Sequence, residues 1–174
     1  MLSDPAQLST ISQIVELFIR TFQAGNKVLF CGNGGSAADA QHLAAELSGR
    51  FFLDRKALFA EALHVNSSFL TAVANDFGFE NAFARAVEAM GKKGDVLVAL
   101  STSGNSPNIL KAIEAAKIAG LKVVGMTGES GGKMAAGCDL LVKIPSQNTP
   151  RIQEGHILVG HVVCELVERR LFRP

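Results

Sequence analysis

The sequence contains neither tryptophan nor tyrosine, although it has eleven phenylalanines. Proteins that bind single-stranded nucleic acid usually stack bases on several aromatic side chains, so this composition argues against that function. Clustered positive charge is also lacking, because the net charge is +1 and the lysines and arginines are scattered along the chain. We therefore expect neither a nucleic-acid partner nor an anionic membrane surface.

Cysteine is scarce too. Cys31, Cys138 and Cys164 are odd in number and show no CxxC spacing, which excludes a disulfide framework and a zinc ribbon. No apolar run approaches the roughly 20 residues that span a bilayer. The first ten residues have neither the basic nor the apolar region of a secretory signal. These features predict a cytoplasmic protein.

The 174 residues are 48% hydrophobic and 19% charged, as in an ordinary globular protein, and we predict a single domain over residues 1–174. Apolar spacing predicts an N-terminal helix over about 3–24, an α/β core over about 27–145 and a C-terminal helix over about 150–171. Short apolar runs predict five strands: 27–31, 59–65, 96–100, 121–127 and 139–144. Between the second and third strands we predict a helix capped by Asn66, a turn over 75–78 and a helix over 80–90. Buried strands that alternate with helices indicate a parallel sheet in a flavodoxin- or Rossmann-like α/β/α sandwich.

The first strand runs into a glycine-rich loop over residues 31–36. A helix over 36–48 is predicted to follow, with Ser36 as its N-cap, Asp39 completing a capping box and Gly49 ending it. A strand, a glycine-rich turn and a helix N-terminus together form a common anion site. Residues 32–37 also match the dinucleotide fingerprint G-x-G-x-x-A, with Asp54 as its acidic partner. A tight turn without any ligand is a further alternative.

A second loop places four hydroxyls directly after a strand and before a helix that starts at Pro107. These are Ser101, Thr102, Ser103 and Ser106. Hydroxyls and backbone N–H groups can surround a phosphate monoester without a lysine. Ser106 alone could be no more than a helix cap. Because parallel strands present their carboxyl ends at one edge of the sheet, both loops are predicted to lie at one ligand site.

His42 and Glu46 are spaced i, i+4 on the first of these helices, which fits a metal or acid/base pair and equally an exposed polar pair. On the C-terminal helix, Gln153 and His161 are about 80° apart around the axis and about 12 Å apart along it. One ion could bind both only if the side chains leaned together or came from different subunits. His161 lies among valines, so a structural buried histidine is the competing interpretation.

Four segments carry a resemblance to a known family: CGNGGSAADAQHLAAELSGRF, ANDFGFE, STSGNS and TPRIQEGHILVGH. They resemble the sugar isomerase (SIS) domain, and within it most closely the bacterial phosphoheptose isomerases. The resemblance implies a five-stranded sandwich that isomerises sedoheptulose 7-phosphate to D-glycero-D-manno-heptose 7-phosphate through an enediol. It also implies a homotetramer with active sites between subunits and one Zn²⁺ per subunit. Two features differ from the family pattern: Pro150 stands where some relatives have aspartate, and the N-terminus is about one helix shorter.

The same resemblance assigns roles to individual residues. Glu46 and His161 match the catalytic acid/base pair. The metal site would comprise His42, Glu46, Gln153 and His161. Substrate contacts are expected from Asn33, Gly34, Gly35, Ser36, Arg50, Asp76, Ser101, Thr102, Ser103, Ser106 and Gln153. A non-catalytic SIS protein that binds the replication initiator DnaA is the alternative from another class, but such relatives lack the carboxylate and the histidine. An isomerase of another sugar phosphate and a sugar-phosphate sensor domain are further alternatives.

Overall fold

In the computed structural model, which describes residues 4–173, five parallel strands form one sheet in the order β2-β1-β3-β4-β5. The strands are β1 (Val28–Cys31), β2 (Ala60–Ala62), β3 (Val96–Leu100), β4 (Lys122–Thr127) and β5 (Leu140–Lys143). Helices cover both faces of the sheet. The predicted α/β/α sandwich with a five-stranded parallel sheet is confirmed.

Six α-helices connect and flank the strands. They are α1 (Pro5–Gln23), α2 (Gly35–Ser48), α3 (Ser67–Phe77), α4 (Ala82–Met90), α5 (Pro107–Ile118) and α6 (Thr149–Phe172). Two short 3₁₀ helices span Phe79–Asn81 and Lys133–Gly137. Within residues 4–173, no helix has both the length and the apolar character needed to cross a membrane.

Strand residues alternate between two hydrophobic cores. Val28 and Phe30 belong to the core that α1, α2 and α6 cover. Leu29 and Cys31 belong to the core on the opposite face, against α4 and α5. Because both faces of the sheet are covered, most strand positions are buried, and the strands therefore appear in the sequence as continuous apolar runs.

The order of the strands defines where a ligand crevice lies. From β1 the chain crosses outward to β2, and from β3 it crosses in the other direction to β4. β1 and β3 are neighbours in register, with Cys31 opposite Ala99 at their carboxyl ends. The loops that follow these two strands are therefore adjacent at a topological switch point, where doubly wound sheets bind ligands.

The start of α2 differs from the prediction. Gly34, with a φ of 54°, is the N-cap, and Ser36 is a buried residue inside the helix. Asp39 does not complete a capping box, since one of its carboxylate oxygens is buried without a hydrogen-bond partner. The predicted Ser36 cap is wrong because the left-handed backbone at Gly34 turns the chain two residues earlier. The side chain of Gln153 lies where a Cβ atom of residue 35 would be, so it would have to move if residue 35 were not glycine.

The predicted turn over 75–78 is also wrong for residues 75–77. Asn75 and Asp76 are turn-forming residues, yet α3 continues through Phe77 and ends at Gly78, whose φ is 84°. The next segment starts as a 3₁₀ helix over Phe79–Asn81 before α4 begins. Local propensity is a weak signal that tertiary contacts override. Asn66 does cap α3, accepting a hydrogen bond from the backbone N–H of Phe69.

The N-terminal helix begins at Pro5, and the side chain of Asp4 caps it by accepting a hydrogen bond from Ala6 N at 2.9 Å. The predicted start at residue 3 lies outside the described residues.

A buried ion pair fixes the connection after α2. Glu168 on α6 accepts hydrogen bonds from the backbone N–H groups of residues 51–53, at 2.8 to 3.1 Å. Arg55 donates to Glu168 at 3.0 Å and to the carbonyl oxygens of Glu46 and Leu47 at 2.9 and 2.8 Å. Burial alone would raise the pKa of Glu168, but these donors outweigh it and hold that pKa below its usual value. The pair thereby ties the end of α2 to α6.

We expect Glu168→Gln to lower the free energy of unfolding by about 3 kcal/mol, because it leaves the buried Arg55 guanidinium without a counter-charge. Because the folded-state pKa of Glu168 is depressed, its contribution is present at neutral pH and is lost as the pH falls below about 4. The difference between the parent and the variant should therefore shrink in acid. Urea unfolding at several pH values measures both effects.

Glu165→Gln is the matched control on the same helix, since its ion pair with Arg169 is partly exposed. It should cost no more than about 0.5 kcal/mol. Equal losses in the two variants would contradict the importance of the buried pair.

Candidate active site

The loop after β3 is shaped by its own hydroxyls. Ser101 Oγ accepts a hydrogen bond from Gly104 N and lies 3.2 Å from Ser106 Oγ. Ser103 Oγ accepts from Asn105 N at 3.1 Å. Ser106 precedes α5 in an extended conformation, but its side chain makes no capping hydrogen bond. Ser106 therefore shapes the loop and does not act as a simple cap.

A cavity of about 460 Å³ opens beside this loop. Thr102, which is half-buried, and Ser103, which is exposed, line it on one side. Residues 128–130 after β4 line the other side, together with Ser146, Gln147 and Thr149. The cavity thus lies at the carboxyl ends of the strands, and two of the four predicted phosphate-binding hydroxyls face it.

A pair of asparagines joins the loop after β1 to the start of α5. Asn33 Nδ2 donates to Asn108 Oδ1 at 2.9 Å, and Asn108 Nδ2 donates to Asn33 Oδ1 at 2.8 Å. Asn108 is only 3% exposed. Sequence reasoning identified Asn33 but missed Asn108, because nothing in the sequence near Asn108 distinguishes it from an ordinary residue in the first turn of a helix.

Three of the predicted metal ligands meet where α2 packs on α6. The Nε2 atoms of His42 and His161 are 2.9 Å apart, and His42 Nε2 is 3.3 Å from Glu46 Oε1. One ligand atom from each residue lies within 4.8 Å of the other two. Tetrahedral zinc with bonds of about 2.0 to 2.2 Å separates its ligands by roughly 3.3 Å, so this spacing and donor set fit the ion. His42 and Glu46 are therefore not an isolated exposed pair.

Close helix packing makes this meeting possible. A Cβ atom at Gly160 would collide with the side chain of Leu43, so the missing side chain lets α6 approach α2. Leu43 and Gly160 each neighbour one of the facing histidines in the chain. The competing interpretation of His161 as a buried structural histidine is wrong, since His161 is partly exposed.

The buried histidine of α6 is His156, which sequence reasoning missed. It is fully buried, and burial lowers its pKa to about 4, so the imidazole is neutral at physiological pH. Both histidines lie among apolar residues in the sequence, and only the orientation of α6 on the sheet distinguishes them.

Gln153 lies apart from the three other predicted ligands. Its side chain rests on Gly35 at the start of α2, whereas His42 and His161 face each other about two turns farther along the two helices. Gly35 and His42 are seven residues apart on α2, which corresponds to about 10 Å along the helix axis. The structure of one chain therefore brings together three of the four predicted ligands, and Gln153 as a ligand stays a prediction.

Two predicted substrate contacts lie at the periphery. Arg50 follows the end of α2 and Asp76 lies in the last turn of α3; both are exposed. Asp76 accepts a hydrogen bond from Asn75 at 2.7 Å. Their contacts with substrate stay predictions.

One chemical alternative fails on the geometry, and Cys31 offers no nucleophile. Asp54 lies in the connection before β2 and does not end that strand, so the dinucleotide interpretation is wrong. Cys31 is completely buried, and burial raises the pKa of its thiol well above the usual value. A thiol that stays protonated is a poor nucleophile.

Comparison with known proteins gives consistent matches. The SIS domain family model matches residues 4–128. A phosphoheptose isomerase from Rhodospirillum rubrum is 58% identical over 161 residues, which are 92% of this chain and 86% of the relative.

Two solved structures agree over nearly the whole chain. Phosphoheptose isomerase GmhA from Neisseria gonorrhoeae matches with a TM-score of 0.87 and 45% identity, covering 92% of this chain and 85% of that one. A phosphoheptose isomerase from Francisella tularensis matches with a TM-score of 0.90 and 38% identity, covering 92% and 86%. The family resemblance predicted from the sequence is confirmed, and the chain belongs to the SIS domain family.

Proposed function

We propose that this chain is a phosphoheptose isomerase that converts sedoheptulose 7-phosphate to D-glycero-D-manno-heptose 7-phosphate through an enediol. The observation that carries the proposal is the meeting of Glu46 and His161 across α2 and α6. The identity of 58% to a named phosphoheptose isomerase supports the same reaction. A carboxylate and an imidazole within reach of one site are the groups that an aldose–ketose proton transfer needs.

The phosphate of the substrate would bind at the loop of residues 101–106. Thr102 and Ser103 face the cavity, and the loop leads directly into the N-terminus of α5 at Pro107. Holding the remote phosphate lets its binding energy position C1 and C2 near the catalytic pair. Asn33, the glycines of its loop, Ser36, Arg50 and Asp76 would contact the sugar.

The carboxylate of Glu46 would remove a proton from C1 of the ketose, leaving a cis-enediol, and return a proton to C2 to give the aldose. His161 would serve the O1 and O5 side, by opening the ring or moving the hydroxyl proton. Proton exchange with water on Glu46 between the two steps would bring solvent hydrogen to C2.

His42, Glu46 and His161 would hold one Zn²⁺ per subunit, with Gln153 as the fourth ligand if its side chain leans toward the group or if it comes from a neighbouring subunit. A divalent ion there would polarise the carbonyl oxygen of the substrate. Glu46 belongs to both proposed sets, and a carboxylate that coordinates a cation is a weaker base. Either Glu46 leaves the metal during turnover, or the metal is structural or inhibitory.

The protein would assemble as a homotetramer with its active sites between subunits. Large apolar side chains stay exposed on the single chain, including Phe52 at 63% and Leu158 and Leu166 on α6. Exposed apolar surface of this kind supports self-association. The three free cysteines are compatible with the reducing cytoplasm, where we propose the enzyme works.

Proton NMR of sedoheptulose 7-phosphate in D₂O tests the reaction directly. The parent protein should produce new anomeric signals, with deuterium at C2 of the aldose. Glu46→Gln should lower turnover by at least about 10³-fold, and His161→Ala by about 10²- to 10⁴-fold, because each removes a proton-transfer group. His64→Ala is a matched histidine control outside the group and should convert substrate normally. No conversion by the parent, with or without added zinc, would overturn the assignment for this substrate.

Metal content is measured apart from activity. After loading with zinc and dialysis, the parent should retain about one ion per chain, whereas His42→Ala should retain far less, because it removes one of the three clustered donors. His64→Ala should behave as the parent does. Equal retention by the parent and His42→Ala would contradict the proposed site. Turnover before and after chelation then distinguishes a catalytic ion from a structural or inhibitory one.

The role of the loop after β3 is tested by Ser103→Ala. Loss of one hydrogen bond to an anionic phosphate should raise KM roughly tenfold and weaken inhibition by inorganic phosphate to a similar extent. Ser9→Ala on the exposed face of α1 should leave both values unchanged. A KM within twofold of the parent would show that this hydroxyl does not bind the phosphate.

A further inference from the structure

The paired asparagines Asn33 and Asn108 lie between the two loops that border the crevice. The β1–β3 ladder ends with Cys31 opposite Ala99, and the asparagine pair lies beyond that last backbone pairing. Asn33 precedes the first residue of α2 by two positions. Asn108 follows Ser106 by two positions. The pair therefore joins the start of the helix that carries Glu46 to the end of the loop predicted to bind phosphate.

The two mutual hydrogen bonds restrict which side chains can form this pair. Each side-chain amide donates one hydrogen bond and accepts one, so both residues must offer a donor and an acceptor in a shared orientation. Asn108 Oδ1 also accepts from Ile109 N at 3.0 Å, which fixes the rotamer of the buried amide. Asn33 keeps one N–H free, and this N–H remains available for the substrate contact predicted for it.

We propose that Asn108 is a positioning residue for the isomerase reaction, which acts through Asn33 to set the distance between the phosphate loop and the start of α2. This inference rests on the proposed function. The phosphate is held at one side of the crevice and the reacting carbons lie near Glu46 on α2. A change in the distance between the two elements displaces C1 and C2 from the base, and a displacement of about 1 Å can cost about 10²-fold in rate.

The test is a double-mutant cycle with kcat and KM measured separately for Asn33→Ala, Asn108→Ala and the double variant. Each single variant should lower kcat at least tenfold, and Asn108→Ala, which removes no predicted substrate contact, should change KM by less than about threefold. Because Asn108 acts through Asn33, the double variant should be no worse than Asn33→Ala, within about twofold. Asn108→Asp keeps the size of the side chain but loses the donor, so its kcat should fall as well.

Asn26→Ala is the matched control, since Asn26 precedes β1 at the opposite edge of the sheet. Its kcat should equal that of the parent. The positioning role is overturned if Asn108→Ala or Asn108→Asp keeps kcat within twofold, or if the losses of the two single variants multiply in the double variant.

The hydrogen-bonded pair is tested without activity by NMR of the side-chain amides. The Asn33 amide protons should exchange slowly in the parent and much faster in Asn108→Ala, with no change in Asn26→Ala. Equal exchange in the parent and Asn108→Ala would overturn the pair itself. A parent protein that shows slow exchange but isomerises no sugar phosphate would overturn the proposed function, and the positioning role with it, while leaving the pair established.

Discussion

The close contact between α2 and α6 is the constraint on which the site depends. α2 follows the first strand and α6 follows the last, and both cover the same face of the sheet. Their approach depends on glycine at position 160, where a Cβ atom would collide with the buried side chain of Leu43. With a larger residue there, the helices would separate and His42 could not lie 2.9 Å from His161. The meeting of the two histidines thus depends on one missing side chain.

Two buried ion pairs and one pair of hydrogen-bonded asparagines hold the surrounding loops in place. Lys27 and Asp95 form a buried ion pair at the amino ends of β1 and β3. The asparagine pair joins the loops at the carboxyl ends of the same strands. Arg55 and Glu168 hold the end of α2 against α6. Buried charged and amide groups of this kind need full hydrogen bonding to be tolerated, and that requirement favours a single arrangement of the loops.

Much of this structure could be predicted from the sequence, because its strongest signals are local. Val96–Leu100 is a continuous apolar run, and the strand there has the predicted bounds. The glycine- and hydroxyl-rich loops after β1 and β3 lie together as the parallel topology requires. Local signals failed where a distant residue decides the outcome. The burial of His156 in place of His161 depends on the orientation of α6. Asn108 could not be recognised, because its partner is 75 residues away in the chain.

The distance of 119 residues between His42 and His161 has a consequence for synthesis of the protein. The five strands of the sheet precede α6, so a nascent chain exposes this sheet before α6 leaves the ribosome. Until then, apolar side chains such as Val98, Val124 and Met126 lack part of their cover on the α6 side. α6 completes this cover and also carries His161. Burial of the aggregation-prone surface and the arrival of His161 beside His42 are therefore one event.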